Sequence, residues 1–158
     1  MRALRTLIIF FAVATFSNLD AIGQEQLIAE TVNDLKNTKQ FAIGVSDERH
    51  FKGALGMYDF LVESGVEIED YEVVVKGKVV ADLVKGSELE TFFQKYKGKV
   101  RVSICSVAME KLGVSKDKLF DGLEPIPTWS VRILQLQAKG YNTLTYWVLN
   151  SFYTKISQ

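Results

Sequence analysis

From Phe41 onward, short runs rich in β-branched residues alternate with stretches of helical periodicity, and this alternation limits the fold more than any other feature. The runs are Phe41-Ala42-Ile43-Gly44-Val45, Tyr71 to Val75, Val100 to Ile104, Leu123 to Ile126 and Tyr141 to Leu149. Each is too short for a helix and is bounded by Gly, Pro, Ser or Asp, as strands are. Strands separated by helices cannot pair as hairpins, so the chain is expected to form a mostly parallel sheet of about five strands. The fold class is α/β, in a three-layer α/β/α arrangement.

The intervening stretches carry helix signals. Ser46 or Asp47 can cap a helix whose stripe is Phe51, Ala54, Leu55, Tyr58, Leu61 and Val62, ending at Gly65. Ser87-x-x-Glu90 is a capping box ahead of Leu89, Phe92, Phe93 and Tyr96, with Gly98 at the end. Ser115 can cap a single turn. Thr128 can cap the last helix, with Val131, Leu134 and Ala138 expected on its inner face and Gly140 closing it. A leader helix is expected over residues 24–40, with Leu27, Ile28, Thr31, Val32 and Leu35 at helical spacing.

The N-terminus reads as a secretion signal. Arg2 and Arg5 precede an apolar core from Leu7 to Phe16, shorter than the roughly 20 residues of a membrane span. Ala21 and Gly23 stand at the −3 and −1 positions, so cleavage is expected after Gly23. The product would be periplasmic or secreted and not membrane-bound. Residues 24–158 are then one domain, with residues 41–158 holding the α/β unit and a C-terminal extension. With 19 basic and 19 acidic residues the chain lacks the basic footprint that nucleic acid requires.

Cys105 is the sole cysteine. It follows Val100-Arg101-Val102-Ser103-Ile104 and opens the helical stretch Ser106 to Leu112. At such a junction, backbone N–H groups and the helix dipole favour the nucleophilic thiolate. The same residue also fits as a small buried hydrophobe. In a parallel sheet, the C-terminal strand ends gather along one edge, where these folds bind ligands. That edge collects Cys105 with Lys76 after the second strand, His50 after the first and Thr128 after the fourth. Lys76 can stabilise a thiolate or persulfide, His50 can carry a proton, and Thr128 can donate a hydrogen bond to bound sulfur. Lys76 also fits as a solvated turn lysine, and Trp129 as a plug at an interface.

Other chemistries lack their residues. Gly53-x-x-Gly56 lies mid-helix without nucleotide-fingerprint spacing. One His and one Cys cannot close a zinc site, and there is no C-x-x-C couple. Neither metal nor cofactor is expected, which leaves sulfur chemistry at one thiol as the best enzymatic reading.

The segment Val102-Ser103-Ile104-Cys105-Ser106-Val107-Ala108-Met109-x-x-Leu112-Gly113-Val114 resembles the cysteine region of the DsrE/DsrF-like sulfur-relay family. Leu123-Glu124-Pro125-Ile126-Pro127 and Leu134-Gln135-Leu136-Gln137-x-Lys139-Gly140-Tyr141 follow in the family's order. The likeness spans about residues 41–146. It implies an α/β/α fold, a tendency to form homo-oligomers, and sulfane sulfur carried as a persulfide on Cys105. Implied partners are a sulfur donor or acceptor protein, or a small sulfur compound. Exported relatives often have His-Gly where this chain has Lys76-Gly77. The alternative is a non-catalytic binding or oligomerisation module with a structural cysteine.

Overall fold

The computed structural model describes residues 27–146. The elements, in order, are α1 (Ala29–Leu35), β1 (Gln40–Val45), α2 (Glu48–Glu63), β2 (Asp70–Val75), α3 (Glu88–Phe93), β3 (Arg101–Cys105), α4 (Ser106–Leu112), β4 (Leu123–Ile126), α5 (Trp129–Ala138) and β5 (Asn142–Thr145). Short 3-10 turns follow β2 at Lys78–Asp82 and α3 at Gln94–Tyr96. The proposed signal segment, the start of the leader and the tail beyond Tyr146 lie outside the described residues.

The sheet is five-stranded and parallel throughout, in the order β4-β3-β2-β1-β5. From β1 to β4 the chain steps in one direction, and right-handed crossovers put every intervening helix on the same face. After β4 it returns to the far side of β1, so the same rule sends α5 across the opposite face. Parallel strands covered on both sides read as continuous apolar runs, and β1 and β2 are buried over nearly their whole length.

Alternate strand residues split the core in two. Phe41, Ile43, Val45, Tyr71, Val73, Val75 and Ile104 point to the helix-rich face and pack with Phe51, Ala54 and Leu55 of α2 and Leu89 and Phe93 of α3. Tyr71 also donates its phenol proton to the Ala54 carbonyl at 2.7 Å, tying β2 to α2. On the other face Ala42, Val74, Cys105 and Ile126 meet Trp129, Ile133 and Leu136 of α5. β4 forms one edge, and Pro125 within it lacks the N–H that would recruit another strand.

Three of the expected caps form, whereas Ser115 precedes the 3-10 turn at Lys116–Lys118 without a side-chain capping bond. Asp47 accepts from the His50 N–H, Ser87 from the Glu90 N–H and Thr128 from the Val131 N–H. Glu90 closes its box on the Gly86 N–H at 2.6 Å instead of on Ser87.

Three expectations need correction. Among the described residues the leader is helical over Ala29–Leu35, because the chain must extend again by Gln40 to join the sheet. On α2, Val62 faces solvent and Leu61 turns inward. On α5 the stripe is out of phase: Val131 and Leu134 are 62% and 64% exposed, and Trp129, Ile133 and Leu136 are buried. Both α5 stripes have helical spacing. The indole decides between them, since it buries the larger apolar area.

Gly44 makes room for that indole: a Cβ there would come within 2.5 Å of Trp129 Cζ2. Trp129 Nε1 donates to the Val74 carbonyl at 2.9 Å, fixing the start of α5 over β2.

Candidate functional site

Adjacent strands β3 and β4 send their chains to opposite faces, β3 into α4 on the helix-rich side and β4 into α5. Such a reversal opens the crevice where α/β sheets place ligands. Cys105, paired in register with Ile126, ends β3 at this point. It is also the N-cap residue of α4, and its thiol makes no capping bond. The side chain is 7% exposed, with Val74, Ile126 and Trp129 around it.

That small exposure opens into a cavity of about 330 Å³. Cys105 lies in its wall with Val107, Ala108 and Leu112 of α4, and the loop after β2 supplies Lys76, Gly77 and Lys78. Lys111 of α4 completes the lining. α4 reaches this loop because Met109 is buried in the same core as Val79 and Val80 of the 3-10 turn. Among the described residues the cavity has three lysines and no acidic residue in its lining.

The turn at Lys76-Gly77 is held at close quarters. Lys76 donates its backbone N–H to Val45 at 3.0 Å. Gly77 has φ of 76°, and a Cβ on it would come within 2.6 Å of the Ser46 carbonyl oxygen. Only glycine meets both conditions. The Lys76 ammonium sits 3.8 Å from the centre of the Trp129 ring, a cation–π contact that holds it at the strand ends.

The four residues expected at the site divide. Cys105 and Lys76 share the cavity wall. His50 does not line it: its ring is hydrogen-bonded to Asp47 and stacked on Tyr146, with centroids 4.8 Å apart. Arg49 Nη2 lies 3.3 Å from His50 Nε2. Burial alone would raise the Asp47 carboxyl, but the hydrogen bonds from His50 outweigh it and hold the group below its ordinary value. Thr128 spends its hydroxyl on capping α5 and borders a separate groove of about 570 Å³ with Ile126, Pro127, Val131 and Leu134.

Lys78 and Lys111 are the site residues that sequence reading missed. The Lys76-Gly77-Lys78 triplet carries a signal for the first. Nothing local marks Lys111, which arrives only through the packing of α4.

A second polar cluster lies under α5, toward the N-terminal ends of the strands. Glu72 has no exposed surface. Its carboxylate accepts from Arg132 Nε and Nη2, both at 2.8 Å, and from Ser103 Oγ at 2.6 Å. Arg101 Nη2 is 2.6 Å from Glu72 Oε2, and Arg101 also forks onto Asp70 at 2.9 and 2.6 Å. Tyr141 closes the cluster with a hydrogen bond to Asp70. Burial would raise the Asp70 carboxyl; Arg101 and Tyr141 together hold it below its usual value. Every charge here has a partner, which marks a structural device.

No family model and no curated protein matches the sequence. Solved structures do match in shape. A protein of unknown function, MTH1491 from Methanobacterium thermoautotrophicum, superposes with a TM-score of 0.58 at 18% identity, over 69% of this chain and 100% of its own. The ychN protein from E. coli gives 0.51 at 19% identity, over 68% of this chain and 99% of its own. Both have the DsrE/DsrF-like fold. At such identities the likeness carries the fold alone.

Proposed function

We propose that this chain is an exported DsrE/DsrF-like protein that handles sulfur, carrying sulfane sulfur as a persulfide on Cys105. One observation carries the reading: the sole thiol lies at the β3/β4 reversal, in the wall of a lysine-lined cavity large enough for a small ligand. The fold shared with MTH1491 and the ychN protein and the residue pattern around Cys105 support it.

Loading requires the thiolate to displace a sulfur chain from a donor, forming Cys105–S–S⁻ as the donor leaves one sulfur shorter. Unloading reverses this toward an acceptor thiolate. Lys76, which shares the cavity wall with Cys105 and is held over Trp129, offsets the negative charge that persists through both steps. His50 and Thr128 have no part in the step as arranged.

Export as a periplasmic or secreted protein rests on residues 1–23, and fractionation of cells expressing the full chain tests it. Homo-oligomer formation draws support from the exposed Val131 and Leu134 beside the 570 Å³ groove, and light scattering on the purified protein tests it.

The decisive experiment exposes the mature protein to polysulfide and weighs it intact. A gain of one sulfur mapped to Cys105, absent in Cys105→Ser, is expected. Labelling that survives the substitution would end the reading. A thiol that stays unlabelled and inert until denaturation would instead favour a binding module with a structural cysteine, for which the 7% exposure already speaks.

A further inference from the structure

The same cavity says more about what enters it. The whole chain balances 19 basic against 19 acidic residues, yet among the described residues Lys76, Lys78 and Lys111 line this one space with no acidic residue. Among the described residues neither Lys78 nor Lys111 has an ion-pair partner, so their charge is not spent on a carboxylate of the fold. The rest of the wall is apolar, with Val107 and Leu112 half-exposed at its surface. Like charges gathered around a low-dielectric wall focus a positive potential inward and draw anions to it. Cys105 presents only a small surface, 7% of the residue, and lies in the wall of this cavity.

We propose that this cavity is a binding site for small sulfur dianions, with Lys78 and Lys111 as binding residues, and that such a dianion is the sulfur donor. The proposal rests on the reading of Cys105 as a sulfur carrier. A small inorganic polysulfide matches both the lysines of the lining and the small exposed surface of the thiol. With the thiol proton already lost to solvent, Sγ attacks the terminal sulfur of a tetrasulfide dianion. A new S–S bond forms while the adjacent one breaks, and its electron pair leaves on a trisulfide dianion. One negative charge remains on Cys105 as the persulfide, so the charge of the site is unchanged.

The test uses two alkylating probes that differ chiefly in charge, iodoacetate and iodoacetamide, on the wild type and on Lys78→Gln/Lys111→Gln. Both reagents consume the same thiolate, so their rate ratio cancels any change in its population and reads the cavity's preference for anions. The iodoacetate-to-iodoacetamide ratio is expected to fall about tenfold in the double variant, to return in Lys78→Arg/Lys111→Arg, and to fall with added salt in the wild type. An unchanged ratio overturns the anion site, as does a Cys105 that neither reagent reaches in the folded protein. Tetrasulfide loading of the wild type, followed by mass, separates the two layers of the argument. Loading with an unchanged ratio removes the dianion inference and leaves the carrier. A falling ratio without sulfur gain keeps the anion site and removes the carrier.

Discussion

Under α5, Glu72 and Asp70 divide two guanidiniums, a serine hydroxyl and a tyrosine between them, all locked by helix and sheet. At the C-terminal edge of the same sheet, three lysines line one cavity with no acidic residue in its wall among the described residues. The first cluster satisfies its charges internally and gains from being rigid. The second leaves its positive potential to be met by something from outside. The buried cluster uses paired charge as architecture, and the lysine-lined cavity is where chemistry is expected.

The contrast can be broken most severely from the paired side. Arg132→Met removes the bidentate partner of a carboxylate that has no exposed surface, leaving it under-compensated beneath α5. The loss should be about 3–5 kcal/mol in urea unfolding. A change below about 1 kcal/mol would show that Arg101 and Ser103 suffice alone. Gly44→Ala tests the junction between the two regions, because the added methyl collides with Trp129. It should cost about 1–3 kcal/mol and shift the tryptophan emission as the indole moves away from Lys76 and Val74. Unaltered fluorescence would mean that Trp129 is not held where the packing puts it.

The smallest effect concerns pH. Asp70 is held below its ordinary value in the folded chain, so its contribution to stability is complete above the unfolded carboxyl's value of about 4 and is lost as pH falls through the folded one. Asp70→Asn should therefore lower the melting temperature at pH 7 and flatten part of the decline below pH 4. Asp47 and Asp59, lowered in the same direction, keep the rest of that decline in place. A variant whose acid limb matches the wild type would remove Asp70 from the account.

How far the chain could be read in advance follows from how local each signal was. The first four strands, their parallel arrangement and the caps at Asp47, Ser87 and Thr128 were legible because each rests on residues within one or two turns. The phase of α5 was not: Val131-Leu134-Ala138 and Trp129-Ile133-Leu136 both have helical spacing, and only the room left by Gly44 on another strand selects between them. Glu72 sits in a run that otherwise reads as buried strand. Its partners Ser103 and Arg132 lie far along the chain, so no window could show that it is satisfied. At the site, Cys105 and Lys76 followed from the rule about strand ends. That rule places residues on an edge without saying which neighbours share a cavity. It therefore included His50 and Thr128, which are occupied elsewhere, and passed over Lys111.

The strand order carries a consequence for how the chain reaches this state. β1, the first of the described strands, pairs on one side with β2 and on the other with β5, the last of them. No neighbouring pair is a hairpin, so every rung of the ladder closes a long loop and folding should be slow for a domain of this size. Until β5 arrives, one edge of β1 offers unpaired backbone, and α5 has no final strand to bring it down over Glu72. The nascent protein thus exposes both a sticky strand edge and an unsatisfied charge until β5 has been made. A holding factor that binds extended chain would be most useful to it in that interval.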